Sequence, residues 1–557
     1  MIPALVLVSG CDRDQLGDGS AKVLGEQGPC QVPFEVEGAP ASAWALPALQ
    51  TCLPEYRLTM PPETLQMFEQ DVYTPDQLAT FITPDGQSLT AEVRLRGQSA
   101  RHFPKQSWNV DLNDGRFEKR RRLNLVAEYQ DQTLLTEKLG YDVLRGMGVP
   151  APRTKFVRLY VNDEYQGVYL DIEQVDKHFT SARGFFPDED PTIYRCPRKD
   201  CEMKTWRVPY QGQWEKKTNE DEPINDVLDL MAVMNHTPEP DFERALDDRF
   251  NLELFLRSMA TDVLISNNYV EDSQSYMIHD RVNDRWTYVP WDLNNNDARF
   301  WPTYGLDSTP FSDHDLFTFT LTDQNTEYIY NRRSQDMCGT EPCYPGYLPV
   351  FSNLGTRIVM NPQLRGRLIA LIRRGQQELF ETSAIHERID KMYKLLSPHV
   401  LGEDSDHLDR HMNPVMFQMG PDYLKRFVTE RNAFVARELS AIEQQVPVLI
   451  LTQVNAAEGW VEVKNQGSTA IDLGGKTLTN NLRQALGQNL APYLLRPGAT
   501  LRLAATALGV PLEANGEVGL FDGQSIVGMH DVLFYGQLTA GQHYARDAGG
   551  HWQVVTP

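Results

Sequence analysis

The chain contains no uninterrupted apolar run approaching the ~20 residues that a membrane-spanning helix needs, so no stretch of it reads as a transmembrane segment. Positive charge is short as well: 53 Lys and Arg stand against 76 Asp and Glu, a formal net charge of −23. That balance disfavours binding to phosphate backbones or anionic membrane surfaces by bulk attraction, and nucleic acid is not an expected partner. The 12 histidines are scattered, which removes the ligand set a zinc hydrolase would show. A metal-dependent hydrolase built on Asp272, Asp292 and Asp297 is therefore the weakest of the enzyme classes considered. Internal repeats are absent from the first 445 residues, which excludes a solenoid. What remains is a long, acidic, mixed chain of 557 residues, enough for two to four domains at roughly 100 to 200 residues each.

Cysteine is rare but patterned. Of 7 cysteines, Cys11 follows a short apolar stretch and the small residues Val8-Ser9-Gly10, the pattern of a lipid-attachment site, although no basic residues precede the apolar run. A lipid anchor at Cys11 would be the chain's only membrane contact. The other six form an even set, Cys30 and Cys52, Cys196 and Cys201, Cys338 and Cys343, which suits disulfides in an exported protein. A Cys₄ zinc site from the last two pairs is the alternative, at the loose edge of ligand spacing.

Residues 12–54, rich in Gly, Pro, Ala and Ser, read as a flexible tether, with order expected near Tyr56. Thr90–Arg96 alternates polar residues with Ala91, Val93 and Leu95, as a half-buried strand does, and Trp108–Leu112 alternates again. Asp131 is the expected N-cap of a helix carrying Leu135, Leu139 and Val143, stopped by Gly146, Gly148 and Pro150. Lys155–Tyr160 and Gly167–Ile172 form a strand pair around Asn162-Asp163. Weak patterning from about 180 to 240 suggests a surface insertion. A helix through Leu252, Phe255, Leu256 and Met259 follows, then a hairpin of Ser275–His279 with Arg285–Val289, then helices to about 445. Residues 447–557 change character, to short alternating strands of a small β-sandwich. The expected class is α+β.

The stretch Arg285–Phe300, RWTYVPWDLNNNDARF, carries the chemistry. A buried strand delivers Asp292, three asparagines and Asp297, and a strand end with oxygen donors suits a hard cation. An Asx-rich turn is the plainer reading. Other parts join it: the loop Arg96-Gly97-Gln98-Ser99 after a strand, Lys105 on the next strand, Glu173 after a distant strand, and the acidic pair Glu271 and Asp272. Phosphoryl transfer needs groups around phosphates, a carboxylate orienting a lysine, another positioning the nucleophile, and a metal.

The ordered series VRLRGQSARHFPKQSWNVDL (Val93–Leu112), LNL (Leu123–Leu125), the run Asp131–Phe179 and WTYVPWDLN (Trp286–Asn294) resembles the CotH-type family, the spore-coat protein H kinases, over about residues 55–445. The resemblance implies a divergent protein-kinase-like fold that uses ATP with Mg²⁺ or Mn²⁺ to phosphorylate Ser or Thr of exported proteins. It places Arg96, Gly97, Gln98 and Ser99 over the phosphates, Lys105 against them and Glu173 paired with Lys105. Asp292 would bind the metal, with Asn294 where members usually carry a second Asp. Members also carry Asn-x-Asp before an Asn-Tyr pair; here Tyr269 stands at the Asp position if Asn267 opens the motif, and Asp272 is the expected catalytic base if the loop is shifted. These departures sustain a second expectation, a non-catalytic surface scaffold or adhesive lipoprotein. The tail, GWVEVKNQGSTAIDLGGKTLTNN (Gly459–Asn481) with later Leu495–Gly498 and Val518–Gly523, resembles a lamin-tail domain of immunoglobulin-like build, with Trp460 expected as a core anchor.

Overall fold

The computed structural model describes residues 30, 32, 44–97, 99–183, 190–196, 214–267, 274–295, 312–317, 352–402, 407–444, 447–482, 487–523 and 529–556. Its first unit is a closed seven-stranded barrel. In chain order it comprises β1 (Glu55–Thr59), α1 (Pro62–Gln70), β2 (Gln77–Ile82), β3 (Ser88–Arg96), β4 (Ser107–Leu112), β5 (Arg122–Val126), α2 (Thr136–Gly146), β6 (Thr154–Val161), β7 (Glu164–Glu173) and α3 (Lys177–Arg183). The strands run in the order β1-β2-β3-β4-β5-β7-β6, and β1 closes the ring by pairing in parallel with β6. Closure leaves no free sheet edge. Ala91, Val93 and Leu95 of β3, fully buried, point inward with Tyr56, Phe81, Val110, Leu123 and Val157, because side chains two apart share a face of a strand. The β6–β7 hairpin turns through Asn162 and Asp163 at φ of 49° and 63°, the left-handed pair that a tight hairpin needs and that Asn and Asp tolerate.

The second unit packs helices around a four-stranded sheet, β11-β10-β8-β9. It contains β8 (Thr192–Cys196), β9 (Glu215–Lys216), α4 (Asn225–His236), α5 (Phe242–Arg249), α6 (Leu252–Ile265), β10 (Gln274–Asp280), β11 (Arg285–Trp291), α7 (Asn353–Met360), α8 (Pro362–Glu378), α9 (Thr382–Leu401) and α10 (Pro414–Gln444). Here the insertion expected over 180–240 is corrected. β8 pairs directly with β10, and Ile193 and Tyr194 are fully buried, so this span contributes core. Its short strands carry too few residues to show a period of two, and that is why they escape a reading of pattern.

The third unit holds β12 (Leu449–Asn455), β13 (Trp460–Asn465), β14 (Ile471–Asp472), β15 (Lys476–Thr479), β16 (Gln488–Asn489), β17 (Leu494–Leu495), β18 (Thr500–Leu503), β19 (Gly516–Asp522), β20 (Met529–Tyr535), β21 (His543–Arg546) and β22 (Trp552–Val555). A five-stranded and a four-stranded sheet share one core of Leu451, Val461, Val463, Leu478, Val518 and Leu533. Trp460 is not its anchor. Alternation turns Val461 and Val463 inward and leaves Trp460 half-buried on the outer face, where Arg502 stacks 3.7 Å from its ring centroid and Glu458 accepts its indole N–H. Overall the chain is α+β, as expected.

Order starts before the expected boundary. Trp44, Leu46 and Leu49 pack on the helical core, and the Arg374 guanidinium lies 3.7 Å from the Trp44 ring centroid. Cys30 and Cys52 form a disulfide, and Lys155 donates to the Val32 carbonyl at 2.9 Å. The tether expected over residues 12–54 is thus, from Trp44 on, a packed strap. Cys196 is also disulfide-bonded, which removes its thiolate from the Cys₄ zinc alternative; Cys11, Cys201, Cys338 and Cys343 lie outside the described residues.

Candidate phosphoryl-transfer site

The site is built on α2. Glu137, in its first turn, accepts the Leu293 amide through Oε1 at 3.3 Å, and Tyr141, one turn on, accepts the Asp292 amide on its hydroxyl at 3.2 Å. Gly140 lies between them; a Cβ there would come within 3.2 Å of a Leu293 methyl. Three consecutive contacts on one helix face therefore hold the end of β11. Asp292 itself adopts φ +64°, a left-handed conformation that costs an L-residue roughly 1–2 kcal/mol. The α2 contacts offset that cost and fix the direction of the carboxylate, whose Oδ2 accepts from Gln274 Nε2 at 3.0 Å. Gln274 in turn accepts from Arg195 at 2.6 Å.

Arg96 closes the site from the barrel side. It ends β3, and its guanidinium carbon lies 5.7 Å from the Trp291 ring centroid. Below it are two buried carboxyls, Glu128 and Glu137. Burial pushes Glu128 well above the usual carboxylate range, and the negative charge of nearby Glu137 adds to the rise. Glu137 is also raised by burial, less so because Glu128, Arg96 and the Leu293 amide stabilise its anion. As like charges in a buried site, the two carboxylates do not readily ionise together. The neighbouring loop is ordered by Asp131, whose carboxylate bonds the Thr133 and Thr136 amides. Asp131 is not the N-cap expected of it: α2 begins at Thr136 after Leu135, and Asp131 reaches the Thr136 amide from the preceding loop.

The remaining expected residues are distributed unevenly. Gly97 has φ +101° and its carbonyl accepts from Arg101 Nε at 2.5 Å; a one-turn 3₁₀ helix, Ser99–His102, follows, while Gln98 and the Ser99 side chain lie outside the described residues, as do Tyr269, Glu271, Asp272 and Asp297. Asn294 sits in the 3₁₀ turn Leu293–Asn295 directly after Asp292. Among the described residues no group of three or more His, Cys, Asp or Glu forms a metal cage. Asp292 and the Asn294 amide offer oxygen donors only, the set that suits Mg²⁺ or Mn²⁺ completing their shells with water and phosphate oxygens.

The expected Lys105–Glu173 pair is a correction. Lys105 is fully buried and donates to the Val168 carbonyl and to Asp409 Oδ2, each at 2.7 Å. Glu173 is held by Arg153 and Arg183, each at 2.6 Å, and these cations lower its carboxyl to about 2 against the desolvation that burial imposes. Val168 and Glu173 lie five residues apart on extended β7, about 16 Å, so the two groups cannot meet. The cation and carboxylates gathered at Asp292 are instead Arg96, Glu128 and Glu137. The two glutamates were missed because each stands among polar neighbours, Glu128-Tyr129-Gln130-Asp131 and Thr136-Glu137-Lys138, where an acid reads as an ordinary surface residue.

A family profile described as "CotH kinase protein" matches residues 93–435, most of the barrel and the helical unit. The chain belongs to the CotH family. This CotH-family chain is 23% identical over 402 residues to the inner spore coat protein H of Bacillus subtilis, covering 71% of this chain and 99% of that protein. It is 22% identical over 302 residues to the spore coat protein homolog 1 of Rhizopus delemar, covering 53% of this chain and 45% of that one. The matched span contains Arg96, Glu128, Glu137 and Asp292 and ends at residue 435, so the third unit stands outside it.

Proposed function

We propose that this chain is an exported kinase that uses ATP and Mg²⁺ or Mn²⁺ to phosphorylate Ser or Thr hydroxyls of secreted or surface proteins. The observation that carries the reading is Asp292, held in a left-handed turn by Glu137 and Tyr141 beneath Arg96. Asp292 and Asn294 would hold the metal, which supplies charge neutralisation on the transferring phosphoryl group. Arg96 and the turn through Gly97, Gln98 and Ser99 would lie along the phosphates. Glu137 and Glu128 set the electrostatic environment of Arg96, and their raised carboxyls limit the negative charge beside the nucleotide. Lys105 and Glu173 belong to the supporting framework in this reading.

The name of the Bacillus relative places that protein in a spore coat, and disulfides at Cys30–Cys52 and Cys196 suit an oxidising compartment. Both support a surface or extracellular location, with lipid attachment at Cys11 as one route. For residues 447–557 we propose a lamin-tail-type domain that places or binds rather than catalyses.

The test uses the full chain, Mn²⁺ or Mg²⁺ and ATP labelled on the γ-phosphate, with exported proteins as acceptors. Label transfer is expected, and nucleotide at ~100 times its dissociation constant should stabilise the fold by about 2.7 kcal/mol. Absence of both sinks the reading. A non-catalytic scaffold is the second reading, favoured by Asn294 and by the burial of Lys105; in that case Asp292→Ala leaves function intact.

A further inference from the structure

α6 leads straight to the site. Its start is docked on β11, since the Asn251 amide donates to the Trp286 carbonyl at 2.8 Å, and Phe255 meets Tyr288 ring to ring at 5.2 Å between centroids. Its end reaches the same place as the end of β11: Ile265 and Leu293 methyls lie 3.4 and 3.2 Å from where a Gly140 Cβ would stand. The helix therefore runs beside β11 in the same direction. Phe255, Ser258, Asp262 and Ile265 share one stripe of that helix, by the three- and four-residue spacing of its faces. Asp262 is the ionisable residue on the stripe, one turn short of the point where Ile265 approaches Leu293.

Its position runs against ordinary stability. A carboxylate in the last turn of a helix faces the negative end of the helix dipole. Asp262 also forms no ion pair among the described residues; the side-chain bond it accepts is from Asn267 Nδ2 at 2.9 Å. Desolvation lifts its carboxyl to about 7, which matches a proton acceptor working near neutrality. Asn267 follows a left-handed Ser266 at φ +55° that ends the helix, so the turn that stops α6 is the same one that brings the amide back onto the carboxylate. An Asp followed five positions later by Asn is also the spacing of the protein-kinase catalytic loop.

We propose that Asp262, oriented by Asn267, is the acid–base residue of the site, in place of Asp272. The proposal rests on the phosphoryl-transfer reading above. In the step, the acceptor hydroxyl passes its proton to the Asp262 carboxylate as its oxygen bonds to the γ-phosphorus. The bond from that phosphorus to the β–γ bridging oxygen breaks, its electron pair leaves with ADP, and Asp262 later returns the proton to water.

The experiment compares the full-length wild type with Asp262→Asn and Asp272→Asn, using γ-labelled ATP, Mn²⁺ and a Ser/Thr peptide library as acceptor. Asp262→Asn is expected to keep its melting curve and its nucleotide-dependent stabilisation while transfer falls at least 100-fold, within the range for losing a general base. Asp272→Asn should stay within threefold of wild type. Transfer by Asp262→Asn within threefold of wild type, or a 100-fold loss in Asp272→Asn alone, overturns the assignment while leaving the kinase reading in place. Wild type lacking both transfer and nucleotide stabilisation overturns both. If Asp262→Asn does not melt cooperatively, Asp262→Glu decides: folded with a tenth or more of wild-type transfer supports the role, folded and 100-fold down rejects it.

Discussion

Asp292 and Glu173 illustrate how differently two acids of one fold can be used. Asp292 is strained and half-exposed, and Glu173 is buried between two guanidiniums. Replacing Asp292 by Ala should abolish phosphate transfer and the metal dependence of nucleotide stabilisation while lowering stability by about 1–2 kcal/mol, because Ala keeps the left-handed strain and loses the Gln274 bond. Melting curves with and without Mn²⁺-ATP check this. Glu173, with a folded value near 2 against an ordinary 4.5, contributes stability that is complete above about pH 4.5 and lost as pH falls towards 2, on the order of 3 kcal/mol at 1.36 per unit. Urea titrations at pH 7 and pH 3 should show the loss in the wild type, and Glu173→Gln should be destabilised at pH 7. Chemistry at the residue scale was half legible. Asp292 stood out because a strand delivers it, and Lys105 misled because a lysine in a kinase-like order cannot be told from a buried structural one until its partner, 304 residues away, is seen.

At the scale of elements, α2 acts as a platform. Glu137, Gly140 and Tyr141 bond or seat the β11 terminus from one face, so a bulky side chain at Gly140 should displace Leu293 and with it Asp292. Gly140→Val is expected to lower transfer at least tenfold, since a misplacement near 1 Å is costly to catalysis, and to destabilise by about 1–3 kcal/mol as overpacking does. Steady-state rates set beside denaturation midpoints separate the two effects. β3 was readable because a period of two over six or more residues is a strong signal, and the hairpins β6–β7 and β10–β11 because apolar strands flank short polar turns. β8 was not readable, and neither was the role of α2, whose polar residues Glu137, Lys138 and Asp142 are all buried. Lys138 and Asp142 are satisfied by each other and by Arg388, long-range pairing that leaves no local pattern.

On the scale of the whole molecule, three devices join parts distant in sequence. The disulfide Cys30–Cys52 closes a 22-residue separation, and its removal should cost about 3 kcal/mol by loop-closure entropy, read as a lower urea midpoint in the Cys30→Ala/Cys52→Ala double variant. Arg357 ties the helical unit to the C-terminal one: it donates to Glu239 at 2.8 Å and lies 3.6 Å from the Phe242 ring centroid and 5.7 Å from that of Phe534. Lys105 and Asp409 join barrel to helices with no exposed atoms, and Gly167 makes room, since a Cβ there would fall 2.0 Å from an Asp409 oxygen. Lys105→Met alone should cost about 3–5 kcal/mol by stranding a buried carboxylate, whereas Lys105→Met with Asp409→Leu should recover most of that. A double-mutant cycle in urea measures the coupling.

That last bond also has a clock in it. Lys105 leaves the ribosome long before Asp409, and 304 residues of separation at the usual 5–20 residues per second amount to about 15–60 s of synthesis. From Glu173 on, which is most of that interval, the barrel sequence is complete but the buried Lys105 has no anion to face. On that count the barrel reaches its full stability only when the helical unit supplies Asp409.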